Sequence, residues 1–335
     1  MSVHLQPVTE ASIGIVVIGR NEGERLRRCL ASISRWSGQV VYVDSASTDG
    51  SVATASALGV DIVELDMSVA FTAARARNAG FRRLREIFPG VTFVQFIDGD
   101  CTIIEGWVEH ACHYLLTHPT LACVCGRLRE HFPERSVYNR LCDREWSRPT
   151  GATEACGGIA VMRADLFAAI GGFREDLVAG EEPELCRRFR SQGFGIWRLD
   201  QSMALHDANM LHFGQWWKRS KRVGFGYAQA CWLHGKDIEM GELRRLLRPW
   251  FWTIGVPLAA AAATAFWGWQ AIALWLVYPL GIWRSASKEA GSWGWRLTYA
   301  SFLMLGKLPE WVGEWQFWLG QARGKASSVS FDYKR

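Results

Sequence analysis

The sequence lacks the short motifs that mark several common classes of enzyme. It contains no Walker A loop, no GxGxxG turn and no HExxH pair. These are the usual sequence signatures of a kinase, a dinucleotide-dependent dehydrogenase and a zinc protease, so their absence argues against those three classes. Its nine cysteines include no CxxC pair, which argues against a zinc ribbon and a disulfide framework. Reduced thiols in a cytosolic domain are the expected state.

The chain also lacks a strong excess of charge of one sign. Among 335 residues, 38 Lys and Arg face 33 Asp and Glu, a net charge of +5, and no nucleic-acid binder is expected because such proteins cluster their basic residues. Residues 1–12 have neither a basic start nor an apolar stretch, so no signal peptide is predicted. With 49% hydrophobic and 21% charged residues, the composition is that of a folded protein.

Charged residues are missing altogether from positions 249–283. One helix of this length, at about 1.5 Å per residue, would exceed the hydrocarbon core of a bilayer, which is about 30 Å thick. A hairpin of two short spans that turns near Gly268 fits better, and one long tilted span is the alternative. Eleven of the 18 tryptophans lie from Trp250 onward, and tryptophan favours membrane–water interfaces. A tryptophan-rich helix in a soluble core is the competing interpretation.

Basic residues flank this apolar run on both sides. They are Arg244, Arg245 and Arg248 before it, and Arg284 and Lys288 after it. Positive flanks at both ends favour a hairpin whose two ends are cytoplasmic. The following stretch, 297–319, is apolar but interrupted by charges, which predicts an interfacial or re-entrant helix.

Upstream of the apolar run, short apolar strands alternate with amphipathic helices. Strands are predicted at 13–18, 40–43, 60–65, 92–97 and 196–199, and helices at 22–36, 51–58, 72–88 and 105–117. This alternation predicts an α/β fold of Rossmann-like type, with a mostly parallel sheet and helices on both faces. Such sheets bind ligands beyond the carboxyl ends of their strands.

Two aspartates follow the fourth predicted strand, in the segment Asp98-Gly99-Asp100. Carboxylate oxygens beside a phosphate-bearing substrate are the ligands that Mg²⁺ and Mn²⁺ take in proteins. A solvated turn is the other interpretation, but a place at the end of a buried strand favours a metal site. The imidazole of His206 could complete the coordination, although a lone histidine is more often structural.

Other polar groups at strand ends and helix starts suit a nucleotide and an acceptor. Asp44 follows the second strand and can accept hydrogen bonds from a base or a ribose. Arg77 suits phosphate recognition, with a solvated basic face as the alternative. Glu181 and Glu182 open a helix, where a carboxylate either complements the helix dipole or acts as a general base.

The segment 215–222 mixes aromatic and basic side chains, among them Trp216, Trp217 and Arg219. These side chains could stack on a sugar, bind a diphosphate or lie on anionic lipid. The sequence leaves the active-site and membrane-surface interpretations open.

The ordered set of these motifs resembles the family 2 glycosyltransferases with the GT-A fold. The matching segments are RNE at 20–22, DSASTDG at 44–50, DGD at 98–100, GG at 157–158, GEE at 180–182 and HD at 206–207. The resemblance covers about residues 13 to 230. The C-terminal part, with KLPE at 307–310 and FDYK at 331–334, is similar to bacterial membrane-bound members linked to exopolysaccharide assembly.

The resemblance implies a role for each matching position. The residues implied to bind the donor nucleotide are Asn21, Glu22, Asp44, Arg77, Asp98, Gly99 and Asp100. The residues implied to hold Mg²⁺ or Mn²⁺ are Asp100, Asp98 and His206. The residues implied to line the pocket for donor and acceptor are Gly157, Gly158, Trp216, Trp217 and Arg219. The implied catalytic base is Glu182, with Glu181 beside it.

Two departures from the family pattern stand out. The base is usually the Asp of a Glu-Asp pair, and Glu182 reaches one methylene further, so Glu181 or a shifted geometry is the alternative. The segment from Gln215 does not spell the QxxRW motif of processive members. A processive polysaccharide synthase is therefore disfavoured.

The resemblance implies an inverting, metal-dependent glycosyltransferase at the cytoplasmic face of a bacterial inner membrane. The donor would be a nucleotide sugar, with a UDP-sugar favoured, and the acceptor a lipid-linked or other saccharide in cell-surface or exopolysaccharide synthesis. The expected boundaries are a tail at 1–12, the GT-A domain at 13–230, a basic juxtamembrane linker at 231–248, a transmembrane hairpin or single long span at 249–284, and an interfacial helix with a cytoplasmic tail at 285–335.

Two other classes of protein compete with this interpretation. A nucleotidyltransferase could use a similar sheet, but such enzymes usually begin with a glycine-rich phosphate loop that this sequence lacks. A nucleotide-binding membrane scaffold with a non-catalytic GT-A domain is the second alternative. The retained aspartates, acidic pair and His206 argue against such degeneration.

Overall fold

The computed structural model describes residues 13–324, which fold into two compact units. The first comprises residues 13–177 and Glu181–Leu211, and the second comprises Val178–Gly180 and residues 212–324. The expected N-terminal tail and the FDYK motif lie outside the described residues. The first unit ends at Leu211, whereas the sequence analysis extends the GT-A domain to residue 230.

The described residues of the first unit form one sheet of nine strands. The strands are β1 (Ile13–Gly19), β2 (Val40–Asp44), β3 (Asp61–Glu64), β4 (Phe93–Asp98), β5 (Cys101–Ile103), β6 (Leu121–Glu130), β7 (Gly151–Ala152), β8 (Ala160–Arg163) and β9 (Gly195–His206). Their order across the sheet is β3-β2-β1-β4-β8-β6-β9-β5, and β7 pairs with β9.

Strands β1 to β4 form the parallel half that the alternating pattern predicts. Strands β1 and β2 are mostly apolar because they are buried almost throughout, whereas β3 is half-buried and begins and ends with an acidic residue. The other half differs, since β8 runs antiparallel to both β4 and β6 while β6 and β9 are parallel. The sheet is therefore mixed, and the apolar periodicity of short strands carries no signal for the direction of their partners.

Seven α-helices connect these strands within the described part of the first unit. They are α1 (Glu24–Ser32), α2 (Ser51–Ala57), α3 (Ala73–Ile87), α4 (Trp107–Thr117), α5 (Val137–Trp146), α6 (Ala164–Ala169) and α7 (Glu181–Ser191). Helix α3 shows how local chemistry sets the bounds. The Thr72 hydroxyl accepts a hydrogen bond from the Arg75 amide at 3.1 Å, which caps the start, and Pro89 prevents continuation at the end.

The second unit is helical in its described residues. Its α-helices are α8 (Phe213–His234), α9 (Met240–Trp250), α10 (Val256–Trp267), α11 (Val277–Ala286), α12 (Trp293–Leu305) and α13 (Lys307–Ala322). A π-helical turn, Phe251–Gly255, joins α9 to α10, and a 3₁₀ segment, Gly268–Leu276, joins α10 to α11. The expected single helix at 297–319 is wrong, because two helices, α12 and α13, cover this stretch. Pro309 lies in the first turn of α13, where proline is tolerated.

Helices α8 and α13 cross at two glycines. A methyl group on Gly313 would overlap the Lys221 carbonyl, and one on Gly224 would overlap the Glu310 carbonyl. The two backbones therefore approach more closely than any side chain permits. Phe225 and Phe317 meet edge to face beside this crossing, with ring centroids 5.3 Å apart, and both are buried.

We expect Gly313→Ala to destabilise the second unit strongly, because the clash is with backbone and α8 must move away from α13. Overpacking of this kind costs about 1–3 kcal/mol or more. Thermal unfolding of the detergent-solubilised chain would measure the loss. Gly214→Ala, on α8 in open space, is the matched control and should leave the unfolding temperature unchanged or slightly higher. Equal melting of the two variants would contradict the close crossing.

The stretch Met240–Ala286 is, among the described residues, the one helical run long and apolar enough to cross a membrane. This run is not one straight helix. The evidence is a hydrogen bond of 2.6 Å from the Tyr278 hydroxyl to the Trp252 carbonyl. Residues 26 positions apart would lie about 39 Å apart along one helix. The chain therefore folds back between them. Gly268, with φ of 66°, ends α10 and starts the return.

Candidate active site

The loops that follow β1 and β2 are tied to each other by hydrogen bonds. The Asn21 amide donates to Ser47 Oγ at 2.9 Å, and the Thr48 amide donates to Asn21 Oδ1 at 2.7 Å. Asn21 has a positive φ of 54°, which non-glycine residues rarely adopt and asparagine tolerates best. The contacts thus hold an uncommon backbone conformation at the strand ends, where ligands bind in sheets of this type.

Asp44 is the centre of this network and is only 2% exposed. Its Oδ1 accepts a hydrogen bond from the Tyr42 hydroxyl at 2.8 Å, and its Oδ2 accepts one from the Ser47 amide at 2.7 Å. Burial and the neighbouring carboxylate raise the pKa of Tyr42, so this hydroxyl stays a donor. Neighbouring Glu22 is also buried and pairs with Arg25 at 2.8 Å. Both predicted nucleoside residues therefore lie at this edge, anchored by protein contacts.

Arg77 links two acidic groups that are far apart in sequence. Its Nη2 lies 2.8 Å from Asp98 Oδ1, and its Nη1 lies 2.7 Å from Glu181 Oε1. Arg77 is 3% exposed. Burial alone would favour loss of its proton, but the two carboxylates dominate and raise its pKa, so the side chain stays charged. The contact brings the end of β4 together with the start of α7.

Gly158 makes room for this arginine. A methyl group on Gly158 would lie 2.6 Å from Arg77 Nη2 and 3.7 Å from Asp98 Oδ2. Gly157 has a φ of 90°, a backbone conformation that favours glycine. The two glycines therefore lack side chains for different reasons. Gly157 has a backbone conformation that favours glycine, and Gly158 lies against Arg77.

We expect Gly158→Ala to weaken donor binding by about tenfold or more, because its methyl group displaces Arg77 from Asp98. Loss of a charged hydrogen bond costs about 1.5–3 kcal/mol. Titration of the purified chain with a nucleoside diphosphate would measure the change. Gly90→Ala, at an open position of the same unit, is the control and should bind normally. Unchanged affinity in Gly158→Ala would contradict a role for this contact.

Asp100, the second aspartate of the segment 98–100, lies next to His206. His206 Nε2 lies 3.3 Å from Asp100 Oδ1, and β5 and β9 place the two residues together by pairing Cys101 with His206. The Asp207 amide fixes the turn by donating to the Asp100 carbonyl at 2.9 Å. On the other face, the Trp146 ring lies 4.6 Å from the His206 ring.

The Asp100 and His206 atoms fit a shared divalent cation. Two neighbouring ligands of an octahedral ion, each bound at about 2.1 Å, lie about 3.0 Å apart, close to the observed 3.3 Å. Asp100, Cys101 and His206 form a group whose possible ligand atoms all lie within 4.8 Å of one another. Asp98, the other predicted ligand, is instead held by Arg77. The carboxylate oxygens of this group suit Mg²⁺ or Mn²⁺.

The two glutamates at the start of α7 have different surroundings. Glu181 faces Arg77, whereas Glu182 is 5% exposed and contacts Cys156. Glu182 Oε1 accepts a hydrogen bond from the Cys156 amide at 2.5 Å and lies 3.0 Å from Cys156 Sγ. Burial raises the pKa of Glu182 well above that of an exposed glutamate. Sequence reasoning missed these thiol contacts, because no spacing brings residues 156 and 182 together.

The predicted aromatic and basic segment belongs to the second unit. Trp216 is 7% exposed and packs edge to face on Phe302, with ring centroids 5.0 Å apart. Trp217 lies 5.8 Å from the Phe213 ring. Arg219 lies on the same helix, α8. Trp216 therefore has a packing role within its own unit, which the sequence alone does not reveal.

The fold and the site geometry define a class of enzyme, and the comparisons identify it. Residues 14–171 match the sequence model of Glycosyl transferase family 2. The chain therefore carries a family 2 glycosyltransferase domain and is a glycosyltransferase, as the sequence motifs predict. The mixed sheet flanked by helices is the GT-A architecture.

Two curated relatives and one solved structure place the chain further. It is 25% identical over 303 residues to the succinoglycan biosynthesis protein ExoA of Rhizobium meliloti, covering 85% of this chain and 86% of that protein. It is 27% identical over 211 residues to the pre-mycofactocin glycosyltransferase of Mycobacterium tuberculosis, covering 58% of this chain and 42% of that protein. Its fold is similar to that of the mannosyltransferase PcManGT from Pyrobaculum calidifontis, whose structure was solved with GDP-Man and Mn²⁺. The TM-score is 0.61 at 18% identity, and the match covers 92% of this chain and 88% of that chain.

Proposed function

We propose that this glycosyltransferase moves a sugar from a nucleotide-sugar donor to a lipid-linked saccharide during exopolysaccharide synthesis. The observation that carries the proposal is the convergence of Asp98, Arg77 and Glu181 beside the Asp100 and His206 pair at one edge of the sheet. The diphosphate of a donor nucleotide is negatively charged, so the positive charge that complements it would come from Arg77 and from a cation held by the carboxylates. The likeness to a succinoglycan biosynthesis protein supports the pathway class.

The donor nucleoside lies, in this proposal, against the loops that follow β1 and β2. Asn21, Glu22 and Asp44 are held there by the hydrogen bonds described above. Asp98 and Gly99 continue the same edge toward the diphosphate. A UDP-sugar is the first donor to test, and a GDP-sugar the second.

A divalent cation, Mg²⁺ or Mn²⁺, would be held by Asp100 and His206, with Asp98 nearby. When bound, such an ion neutralises charge that develops on a departing nucleoside diphosphate. Arg77 already stands charged beside Asp98 and adds a fixed positive group at the same edge. Gly157 and Gly158, the second of which lies against this arginine, are proposed to line the pocket for donor and acceptor.

Transfer proceeds in this proposal by a single displacement with inversion at the anomeric carbon. The acceptor hydroxyl oxygen bonds to that carbon while the bond to the diphosphate oxygen breaks, and Glu182 takes the hydroxyl proton. Glu182 is favoured over Glu181 because Glu181 is engaged by Arg77, whereas burial raises the pKa of Glu182 and makes its carboxylate the stronger base. Trp216, Trp217 and Arg219 are proposed as acceptor-side residues.

The second unit is proposed to anchor the enzyme to the bacterial inner membrane as a hairpin that enters and leaves on the cytoplasmic side. The return of the chain between Trp252 and Tyr278 supports a hairpin over a single long span. From Trp252 to the turn at Gly268, a helix rises about 24 Å, somewhat less than a bilayer core of about 30 Å. Phe266, Trp267 and Trp269 at the turn are 84%, 71% and 81% exposed, which suits contact with lipid.

Partition of radiolabelled product tests the acceptor. Membranes that contain the enzyme and its native lipids would receive Mn²⁺ and a labelled nucleotide sugar. We expect label in the organic extract from wild-type membranes and only background label from Asp100→Ala membranes. Label found wholly in the aqueous phase would overturn the lipid-linked acceptor while leaving the glycosyltransferase assignment intact.

A further inference from the structure

Three cysteines surround the carboxylate of Glu182. Cys123 comes from β6, Cys156 from the loop before β8, and Cys186 and Glu182 from α7. Glu182 and Cys186 are four residues apart and so share one face of their helix. All four side chains are buried. Nothing in the proposed sugar transfer uses the three thiols.

The distances within this cluster are short. Cys156 Sγ and Cys186 Sγ lie 3.7 Å apart. Glu182 Oε1 lies 3.0 Å from the first sulfur and 2.9 Å from the second. The possible ligand atoms of Cys156, Cys186 and Glu182 all lie within 4.8 Å of one another. The Cys123 thiol neighbours both of the other thiols, so it is the candidate for a fourth ligand.

The sulfur separation matches that of thiolates on one tetrahedral ion. With Zn–S bonds of about 2.3 Å, two sulfurs on a tetrahedral zinc lie about 3.8 Å apart. The observed distance is 3.7 Å. A carboxylate oxygen at about 2.0 Å from the ion would lie about 3.5 Å from each sulfur, so Glu182 has to withdraw by only about half an ångström.

Each cysteine would bind such an ion as its thiolate. The thiol proton therefore passes to water as the bond from sulfur to the ion forms.

We propose that Cys123, Cys156, Cys186 and Glu182 form a closed, four-ligand site for a thiophilic divalent cation such as Zn²⁺. This site is separate from the proposed Mg²⁺ or Mn²⁺ site at Asp100 and His206, whose ligands are harder. It has one regulatory consequence, which rests on the proposed role of Glu182 as base. A zinc ion that holds Glu182 withdraws it from the acceptor hydroxyl and stops transfer.

Cobalt absorption tests the metal site directly on the full-length chain in detergent. We expect added Co²⁺ to bind one equivalent with the intense sulfur-to-cobalt charge-transfer band of a tetrahedral thiolate site, and added Zn²⁺ to abolish the band. Cys156→Ser and Cys186→Ser should lose it. Cys112→Ser, which removes a buried thiol of α4, is the matched control and should keep it. Absence of the band from the wild-type protein would overturn the proposal.

A second test of the metal site uses only the wild-type protein, so it does not depend on whether a variant folds. Alkylation of the wild-type protein during partial denaturation, followed by mass spectrometry, would show whether Zn²⁺ protects individual thiols. We expect protection of Cys123, Cys156 and Cys186 and none of Cys112. Equal protection of all four would contradict the site.

Inhibition separates the metal site from the base assignment. In the presence of Mn²⁺, added Zn²⁺ should lower transfer by the wild-type enzyme and by Cys112→Ser at the same concentration, and Cys123→Ser should need at least tenfold more. If Glu182→Gln retains turnover while the cobalt band persists in the wild-type protein, the base assignment fails and the metal site stands. If transfer requires Glu182 but the band is absent, the metal site fails alone.

Discussion

Replacing Asp100 by alanine should lower sugar transfer by about a thousandfold or more while the first unit stays folded. Asp100 faces His206 at 3.3 Å, and the pair fits one divalent cation. Loss of a carboxylate ligand removes several kcal/mol of transition-state stabilisation, and each 1.4 kcal/mol is a factor of about ten in rate. Initial rates of nucleoside diphosphate release, at saturating donor and Mn²⁺, would measure the effect.

Asp165→Ala is the matched control for this prediction. Asp165 is exposed on α6, so its loss should leave the rate within about a factor of two, as for most surface substitutions. Circular dichroism of both variants establishes that the sheet survives. Wild-type turnover in Asp100→Ala would show that this carboxylate is no metal ligand.

Glu182→Gln and Glu181→Gln should fail in different ways. Glu182→Gln removes the proposed base and should lower kcat by about 10²–10⁴ while the donor still binds. Glu181→Gln removes one of the two ion pairs of Arg77 and leaves the pair with Asp98. It should therefore lower the affinity for the donor more than it lowers kcat. Parallel measurements of kcat and of nucleotide affinity distinguish the two.

The pH dependence gives these variants a further readout. Because burial raises the pKa of Glu182 above the usual 4.5, its basic form accumulates only as the pH rises past that higher value. Wild-type kcat should therefore increase with pH along a limb whose midpoint lies above 4.5. The limb should be missing from the residual activity of Glu182→Gln. A dead Glu181→Gln beside an active Glu182→Gln would assign the base to Glu181.

The parallel half of the fold and the meeting of Asp100 with His206 could be predicted because their signals are local. Strands β1, β2 and β4 are mostly apolar, and Asp98 and Asp100 stand at the end of β4. His206 follows a strand in the same way, and β5 and β9 bring it to Asp100. The rule that ligands lie beyond the ends of such strands then predicts a ligand site at this edge.

The rest depends on side-chain direction and on tertiary packing. Glu181 and Glu182 are identical side chains at adjacent helical positions, about 100° apart around the axis, and only the packed structure shows which one meets Arg77. The thiol cluster joins β6, a loop and α7, and no sequence spacing relates Cys123 to Cys156 and Cys186. Strand β8 is four residues long, and its reversed direction has no local signal.

Donor turnover tests the central claim most directly. Membranes that contain the enzyme would be incubated with UDP-, GDP- and dTDP-sugars and, separately, with nucleoside triphosphates, each with Mn²⁺ or with EDTA. Mass spectrometry would detect the released products. We predict nucleoside diphosphate from one class of nucleotide sugar in Mn²⁺ and none in EDTA. Pyrophosphate released from a triphosphate, or no release from any sugar donor in the presence of native lipid, would contradict a metal-dependent glycosyltransferase.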